Sequence, residues 1–471
     1  MSQFTQSQFQ DKDSIRHAFS LAMSKMYQSE VPLYKELMDL VADVNKSALD
    51  KDPTLKQHLA NTGELDRIDL ERHGAIRLGL PSELNMMRRL FSVMGMSPVG
   101  YYDLTPAGVP VHSTAFRTTD SDGLQKSPFR VFCSLLRLEL IDDDKLRQQA
   151  IDTLNKRQIF TPRVIELIQK SESQGGLNKA DSDEFVIEAT KTFKWHTTSP
   201  ISKELYDKLH NQHRLMADIV GFYGPHINHL TPRTLDIDKV QTGMSERGID
   251  PKEIIEGPPR RSCPILLRQT SFKALNEPIA FTNADGTLTQ GNHTARFGEI
   301  EQRGIALTPK GRKLYDELLN KTRANLATTP EKDPDAYYQA LADSFRAFPD
   351  DYQEIYEQSL GYFYYQINES QINDKSKSAT SNDPKELVKQ GILRLEPIVY
   401  EDFLPVSAAG IFQSNLGDNA QDKTKSGYER QSSQAVFEDA LGATVLDECV
   451  LYQAMMDKSL DDALIELGLN S

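Results

Sequence analysis

The chain has 471 residues, of which 38% are hydrophobic and 26% are charged, so it can build a packed core as one large or two to three ordinary domains. The formal net charge of -14 argues against a nucleic-acid-binding protein, whose surface usually carries a basic face. It still permits an anionic small substrate, because a few buried arginines can reverse the sign of the local field.

The cysteines and the apolar runs narrow the compartment and the type of site. The three cysteines, Cys133, Cys263 and Cys449, are far apart and form no CxxC pair, so neither a zinc ribbon nor a disulfide framework is predicted. The first residues lack a basic stretch followed by an apolar run, and nothing approaches about eighteen consecutive apolar residues. We therefore expect a cytoplasmic protein with no membrane partner.

The first part of the chain predicts helices followed by a strand-rich module. Apolar residues recur at three- and four-residue spacing over 13–47, and we assign residues 1–60 to an N-terminal helical region. Within 61–142 the patterns predict a strand, a helix and three further strands, in the order 71–79, 81–94, 99–104, 111–118 and 129–141. This element order defines a βαβββ module.

A second module with the same element order is predicted further along the chain. Residues 143–223 have helical periodicity and form an insertion between the two modules. Within 224–305 the patterns again predict a strand, a helix and three strands, at 226–235, 236–247, 264–275, 277–282 and 295–304. Residues 306–471 are mostly helical in pattern and include an apolar, proline-interrupted segment at 395–416. The predicted fold class is α+β, with paired βαβββ modules, large helical insertions and a helical C-terminal part.

The first strand of the first module carries two residues that could act on an anionic substrate. His73 and Arg77 are four residues apart, so on a strand both side chains point to the same face. A metal on the imidazole and a guanidinium some ångströms away would together suit a short dicarboxylate, because arginine grips carboxylates bidentately. The alternative is an ordinary half-buried strand with a surface arginine.

The two ends of the second module carry the other candidates. His226 and His229 would face opposite sides of a strand, so one would bind a metal, and the apolar neighbours of His229 favour it. Glu299 and Glu301 share one face of the last strand, and the pattern does not choose between them. A buried carboxylate needs a partner or a metal, but a solvent-side histidine pair and a polar edge strand remain the alternatives.

Taken together, these residues predict a metal centre with open coordination positions. Two imidazoles and one carboxylate form the facial triad used for dioxygen chemistry at Fe(II), although zinc or manganese would accept the same set. Glu139, on the last predicted strand of the first module, is the counterpart of Glu299 and could be a fourth ligand, with strand-end packing as the favoured interpretation. The remaining histidines considered have no partner at a useful spacing: His112, His196, His213 and His293.

Four motifs in order carry a resemblance to a known family. HGAIR, NHLT, FGEIEQRG and LPVSAAGIFQSNL resemble those of the 2-oxoadipate dioxygenase/decarboxylase family, also called hydroxyglutarate synthase, over about residue 13 to the end. The core resembles the vicinal-oxygen-chelate superfamily, whose paired βαβββ modules cup a metal. The spacing E-x-x-Q-R is similar to that of hydroxyphenylpyruvate dioxygenase, which favours Glu299 over Glu301, and NHLT favours His229 over His226.

The resemblance implies a site and a reaction. It implies Fe(II) on His73, His229 and Glu299, and it places substrate contacts on His73, Arg77, Val406 and Ser407, with His73 and Arg77 as the catalytic residues. The implied reaction is the oxidative decarboxylation and intramolecular hydroxylation of 2-oxoadipate with O2, which gives (R)-2-hydroxyglutarate and CO2. The implied partners are therefore a 2-oxo dicarboxylate and O2.

Two rival hypotheses stay open at this point. One is a non-redox zinc- or manganese-dependent isomerase, lyase or hydrolase of the same fold, with Glu139 as a fourth ligand. The other is a non-enzymatic interaction protein with incidental histidines, which would bind no stoichiometric metal.

Overall fold

The computed structural model describes residues 9–326, 329–368, 382–404 and 427–469, with side chains in the last range described from 433 onwards. Among these residues, the helices do not include one that combines the length and apolarity needed to cross a bilayer.

The N-terminal region is helical, as predicted, but it is divided where a proline begins a new helix. The helices are α1 Lys12–Glu30, α2 Pro32–Lys51, α3 Pro53–Asn61 and α4 Glu64–Arg67. Asp11 caps α1 by accepting from the Ser14 N–H. The break falls at Val31 because Pro32 has no N–H for a continuing helical hydrogen bond, whereas the first helical turn tolerates it.

The first predicted module forms one sheet in the predicted element order. Its elements are β1 Arg72–Leu78, α5 Pro81–Val93, β2 Ser97–Asp103, β3 Val111–Arg117, the short helix α6 Ser121–Lys126 and β4 Phe129–Leu136. The sheet order is β2-β3-β4-β1, with β1 parallel to β4, and the three-residue strand β6 Leu230–Pro232 adds antiparallel to β1. β4 is shorter than predicted, because a 3-10 turn over Leu138–Leu140 follows it.

The segment between the modules is helical, as expected. It contains α7 Asp144–Lys156, α8 Pro162–Gln174, α9 Lys179–Lys191, the two-residue strand β5 Thr198–Ser199, α10 Lys203–Gln212 and α11 Arg214–Val220. Side chains at their N-caps accept backbone N–H groups, Thr161 at α8 and Ser202 at α10 among them.

The second set of strands differs from the predicted single module. Its elements are β6, α12 Ile237–Glu246, β7 Leu267–Ser271, β8 Asn276–Thr282, β9 Leu288–Thr294 and β10 Glu299–Arg303. β10 pairs antiparallel with β7, while β8 and β9 form a hairpin that β5 extends. The sequence analysis did not predict β9, whose residues are mostly polar and exposed and lack apolar alternation. The predicted strand over 226–235 was also wrong in extent, because only Leu230–Pro232 has strand geometry.

The C-terminal part is mostly helical. It contains α13 Pro309–Ala324, α14 Pro334–Phe345, α15 Tyr352–Glu357, β11 Phe363–Ile367, α16 Pro384–Lys389, β12 Leu393–Pro397, α17 Gly427–Leu441 and α18 Glu448–Glu466. β11 and β12 pair antiparallel. β11, β12 and the helices other than α17 share an apolar core, which also takes in Ile305 and Leu307 after β10. Phe437 and Leu441 of α17 belong instead to the core of the N-terminal helices.

The five-stranded sheet is buried on both faces by different apolar clusters, and this fixes the side on which β1 carries its polar residues. Ile76 and Leu78 pack with the N-terminal helices, whereas Ala75 packs with α7, α10 and α11. Because side chains alternate along a strand, His73 and Arg77 share the face of Ala75. Both are at least nine-tenths buried. The fold class is α+β, as predicted.

Candidate metal centre

The structure brings His73, His229 and Glu299 together in a fully buried cluster. Each offers one ligand atom, and these atoms lie within 4.8 Å of one another. Their three segments are adjacent: His73 on β1 lies opposite Thr231 of β6. An isolated bridge from Arg233 to β10 brings in the strand on which Glu299 is the first residue.

A glycine in the HGAIR motif makes this approach possible. A Cβ on Gly74 would lie 2.5 Å from Ile227 Cδ1 and 3.3 Å from the backbone oxygen of His229. Any other residue would therefore force the Ile227 side chain to move and would crowd the backbone oxygen of His229. This explains in physical terms why a glycine follows His73.

Thr231 fixes the orientation of both His229 and Glu299. Its hydroxyl donates to Glu299 Oε1 at 3.0 Å and lies 2.9 Å from His229 Nδ1. Because the hydroxyl has one proton and gives it to the carboxylate, His229 Nδ1 must donate to Thr231, which leaves the lone pair on Nε2. Burial lowers the pKa of His229 to about 4, so the imidazole stays neutral.

Glu299 is held as a carboxylate with one oxygen saturated and the other not. Oε1 accepts from Thr231 Oγ1 and from Gln269 Nε2, each at 3.0 Å, and His73 Nε2 also lies 3.0 Å away. Burial acts to raise the pKa of Glu299, but the His229 and His73 imidazoles outweigh it and lower this pKa overall. Oε2 is buried and has no hydrogen-bond partner among the described residues.

Glu301 lies on the other side of His73 and does not join the cluster. Its Oε2 is 3.1 Å from His73 Nδ1, while Arg303 donates to both of its oxygens, Nε at 2.8 Å and Nη2 at 2.9 Å. Burial lowers the pKa of His73, but the Glu301 and Glu299 carboxylates outweigh burial and raise it. Glu301 is thus placed to orient His73 so that Nε2 points at the cluster.

The donor set fits a divalent cation. It consists of two imidazole nitrogens and one carboxylate oxygen, and two of the buried atoms, His229 Nε2 and Glu299 Oε2, have no hydrogen-bond partner among the described residues. Buried polar atoms are rarely left unpaired, and a cation would satisfy both. Three protein ligands would leave open coordination positions for a chelating substrate.

Arg77 lines a cavity of about 740 Å³ that adjoins the cluster. Its Nη1 donates to Asp218 Oδ2 at 2.5 Å, and both side chains are 6% exposed. Phe297 lines the same cavity and stacks on the His229 ring, with ring centroids 5.0 Å apart. The cavity and the cluster therefore share a wall.

The remaining predicted residues fall elsewhere. His226 contacts Asp218 and not the metal cluster, with its Nε2 3.2 Å from Asp218 Oδ1. Glu139 is neither packed at a strand end, as favoured from the sequence, nor a fourth ligand: its side chain is 62% exposed and pairs with Arg137, because β4 ends before this position. Val406 and Ser407 lie outside the described residues, while Phe403 packs its ring 4.9 Å from that of His73.

Sequence reasoning missed two buried residues beside the site. Asp218 lies on α11 and His293 on β9, 4% exposed, where it contacts Asp218. A signal for Asp218 was present, because it is a lone carboxylate within the apolar run LMADIV. His293 had none, because its hairpin is otherwise polar.

Comparison with known proteins identifies relatives over nearly the whole chain. The family profile of 2-oxoadipate dioxygenase/decarboxylase matches residues 19–415. A 2-oxoadipate dioxygenase/decarboxylase of Pseudomonas putida is 53% identical over 98% of this chain and 99% of the relative. One from Escherichia coli is 53% identical over 95% of this chain and 97% of its own. One from Mycobacterium tuberculosis is 39% identical over 94% of this chain and 96% of the relative.

The fold is also that of a solved relative. The crystal structure of hydroxyglutarate synthase in complex with 2-oxoadipate from Pseudomonas putida superposes with a TM-score of 0.90 and 51% identity, over 98% of this chain and 100% of that chain. The profile match, the identities and the superposition agree along the chain. The chain belongs to the 2-oxoadipate dioxygenase/decarboxylase family.

Proposed function

We propose that this protein is an Fe(II)-dependent enzyme that converts 2-oxoadipate and O2 to (R)-2-hydroxyglutarate and CO2. The observation that supports this most directly is the buried cluster of His73, His229 and Glu299 beside a cavity that Arg77 lines. The relatives are 2-oxoadipate dioxygenases/decarboxylases, which supports the substrate, and the donor set supports a metal that reacts with dioxygen.

The three ligands would hold the metal through His73 Nε2, His229 Nε2 and Glu299 Oε2. When bound, Fe(II) supplies the redox chemistry with O2 and polarises the keto group of the 2-oxo acid. The protein supplies the geometry: the Thr231 hydroxyl keeps the proton of His229 on Nδ1, and Glu301 orients His73 from the side away from the metal. Each histidine would thereby present its Nε2 to the metal.

Arg77 would bind a carboxylate of the substrate. It lies four residues after His73 on the same face of β1, a separation of roughly 13 Å along a strand, which a long side chain reaching back can shorten. Its guanidinium would hold one end of 2-oxoadipate while the 2-oxo acid end lies at the metal. This fixes which C–H bond is presented for hydroxylation and hence the configuration of the product.

The walls of the site would exclude water. Phe297 stacks on His229, and Phe403 lies 4.9 Å from His73, ring centroid to ring centroid. Apolar rings at these positions limit the access of solvent to a reactive centre. We also propose that Val406 and Ser407 contribute substrate contacts, as the sequence resemblance implies.

Oxygen uptake tests the reaction. The protein is purified anaerobically, loaded with Fe(II) and mixed with 2-oxoadipate and O2, and the product is identified by chiral chromatography. We expect one O2 consumed per (R)-2-hydroxyglutarate formed, and no uptake by protein loaded with Zn²⁺ in place of iron. Absence of uptake with 2-oxoadipate and with its shorter and longer homologues would reject the proposal and favour a non-redox reaction at zinc or manganese.

A further inference from the structure

A second buried polar cluster lies on the Arg77 side of the metal centre. It consists of Asp218 on α11, His226 in the segment before β6 and His293 on β9, whose candidate ligand atoms lie within 4.8 Å of one another. The three side chains are 6%, 3% and 4% exposed. They come from separate parts of the chain, so the cluster is a product of the fold.

The hydrogen bonds to Asp218 have a determined direction. Burial acts to raise the pKa of Asp218, but Arg77 and His226 outweigh it and hold this pKa well below its usual range, so the carboxylate only accepts. His293 Nε2 lies 2.8 Å from Asp218 Oδ1 and therefore carries a proton. Its Nδ1 lies 2.6 Å from Tyr206 Oη, within hydrogen-bond distance. The result is a continuous hydrogen-bonded chain from Tyr206 through His293 to Asp218.

Arg77 completes this chain from the other side. Its Nη1 donates to Asp218 Oδ2 at 2.5 Å, while His293 and His226 approach Oδ1 at 2.8 and 3.2 Å. Asp218 is therefore held by α10, α11 and β9 and itself holds one edge of the guanidinium. An arginine side chain has many rotamers, and an anchored one loses less freedom when it binds a ligand.

A cation in this cluster is the alternative interpretation. It would require His293 to give up the proton that Asp218 accepts, and it would place a second positive charge beside Arg77. Neither ring nitrogen of His226 has a hydrogen-bond partner among the described residues, although its Nε2 lies 3.2 Å from Asp218 Oδ1. The hydrogen-bond pattern and the charge balance favour a fixed network over a metal site.

We propose that Asp218, braced by His293 and Tyr206, is a positioning residue that fixes the Arg77 guanidinium at a set distance from the metal centre and thereby sets the length of 2-oxo dicarboxylate that the enzyme accepts. This inference rests on the proposed role of Arg77 as the carboxylate-binding residue. It also gives the reason why the distance between the metal centre and the Arg77 guanidinium would be fixed. His73 and Arg77 lie on the same strand, and the hydrogen bond to Asp218 restricts the rotamers of the arginine side chain.

The test uses the iron-loaded full chain with the variants Asp218→Asn, Arg77→Ala and the double variant. We expect Asp218→Asn to raise KM for 2-oxoadipate by about tenfold and to lower kcat much less, since one charge-assisted hydrogen bond is lost. In the same variant, the ratio of kcat/KM for 2-oxoadipate to kcat/KM for 2-oxoglutarate or 2-oxopimelate should decrease. The double variant should be no worse than Arg77→Ala alone, because Asp218 acts through Arg77.

Two further variants keep the test independent of folding. Glu204→Gln removes one negative charge on the neighbouring helix α10, where the exposed Glu204 pairs with Lys208 outside the lining of the cavity, and should leave the chain-length preference unchanged. Tyr206→Phe removes only the hydroxyl that braces His293 and should shift KM in the same direction as Asp218→Asn by about threefold, the size of one neutral hydrogen bond. It remains informative if Asp218→Asn does not fold.

Three outcomes would overturn the proposal. The first is a chain-length preference that stays unchanged in both Asp218→Asn and Tyr206→Phe. The second is a double variant in which the separate effects of Asp218→Asn and Arg77→Ala on KM multiply. The third is a second equivalent of metal that the wild type binds and Asp218→Asn loses. Anaerobic calorimetry measures the binding of 2-oxoadipate without turnover, so it tests this proposal independently of the proposed reaction. Wild type that binds 2-oxoadipate without consuming O2 rejects the oxygenase reaction but still reports the effect of Asp218 on affinity and length preference.

Discussion

The molecule contains two buried clusters with the same donor set, two histidines and one carboxylate, and they differ in how their lone pairs are used. In the metal centre, His229 Nε2 and Glu299 Oε2 have no hydrogen-bond partner among the described residues. In the second cluster, both oxygens of Asp218 are engaged, one by Arg77 and the other by His293. Two imidazoles and one carboxylate would therefore suit a cation in one place, whereas in the other the carboxylate holds a guanidinium.

The difference lies in the surrounding residues rather than in the donors. Thr231 accepts a hydrogen bond from His229 Nδ1–H and leaves the other nitrogen of His229 as an acceptor, whereas Asp218 itself accepts a hydrogen bond from His293 Nε2–H. Arg77 already balances the charge of Asp218. Ligand counting alone would treat the two clusters alike, and the direction of each hydrogen bond distinguishes them.

The largest expected effect breaks the metal centre. His229→Ala and Glu299→Ala should each abolish stoichiometric iron binding and lower activity by more than about a thousandfold, because the reaction depends on the metal. Metal content is measured by mass spectrometry after loading and desalting. His226→Ala, in the second cluster, should retain one iron per chain. Iron retained by His229→Ala and lost by His226→Ala would exchange the two assignments.

The second prediction separates substrate binding from metal binding. Arg77→Ala should raise KM for 2-oxoadipate by about thirtyfold or more, the effect of losing a charge-assisted bidentate contact, with iron content near that of wild type. Steady-state oxygen uptake and metal analysis of the same preparations measure both. Arg214→Ala is the matched control, since Arg214 lines the same cavity but is exposed, and we expect a change of only a few-fold. Loss of iron in Arg77→Ala would contradict its assignment to the substrate.

How far the sequence could lead is clearest on β1. Strand alternation predicted that His73 and Arg77 share a face, and they do, because a strand has a period of two whatever surrounds it. The same rule could not separate Glu299 from Glu301, which also share a face. The structure separates them through Arg303, which engages Glu301 and leaves Glu299 at the cluster.

Other parts of the site depend on contacts that no local pattern contains. The choice between His226 and His229 was argued from strand alternation, but neither residue is in a strand, and their separation follows from how the loop crosses β1 at Gly74. His293 meets Asp218 across 75 residues of sequence. A long-range pair of this kind, between a buried apolar helix and a polar hairpin, becomes visible only when the fold is known.

A smaller effect should follow from the residue that orients His73. Glu301→Gln removes the charge that faces His73 Nδ1 and should weaken Fe(II) binding by about tenfold, as substitutions of residues that orient metal ligands commonly do. A chelator competition titration measures the affinity, and circular dichroism checks the fold because Arg303 loses its ionic partner. Glu139→Gln, exposed and remote from the cluster, should leave the affinity unchanged. Equal affinity in Glu301→Gln and wild type would show that the orientation of His73 does not depend on this charge.

The smallest effect should come from the hydroxyl that makes the metal centre differ from the second cluster. Thr231→Val keeps the shape of the side chain but removes the acceptor for His229 Nδ1 and one donor to Glu299, so His229 can adopt the other tautomer and Fe(II) affinity should fall by about threefold to tenfold. Thr231→Ser should restore it. Thr270→Val is the control, because Thr270 is equally buried but its hydroxyl donates to a backbone oxygen away from the cluster. If both valine variants lower the melting temperature alike and only Thr231→Val weakens iron binding, the Thr231 hydroxyl acts on the metal ligands and not on the stability of the fold. If both variants bind iron as wild type does, the tautomer of His229 does not determine the iron affinity.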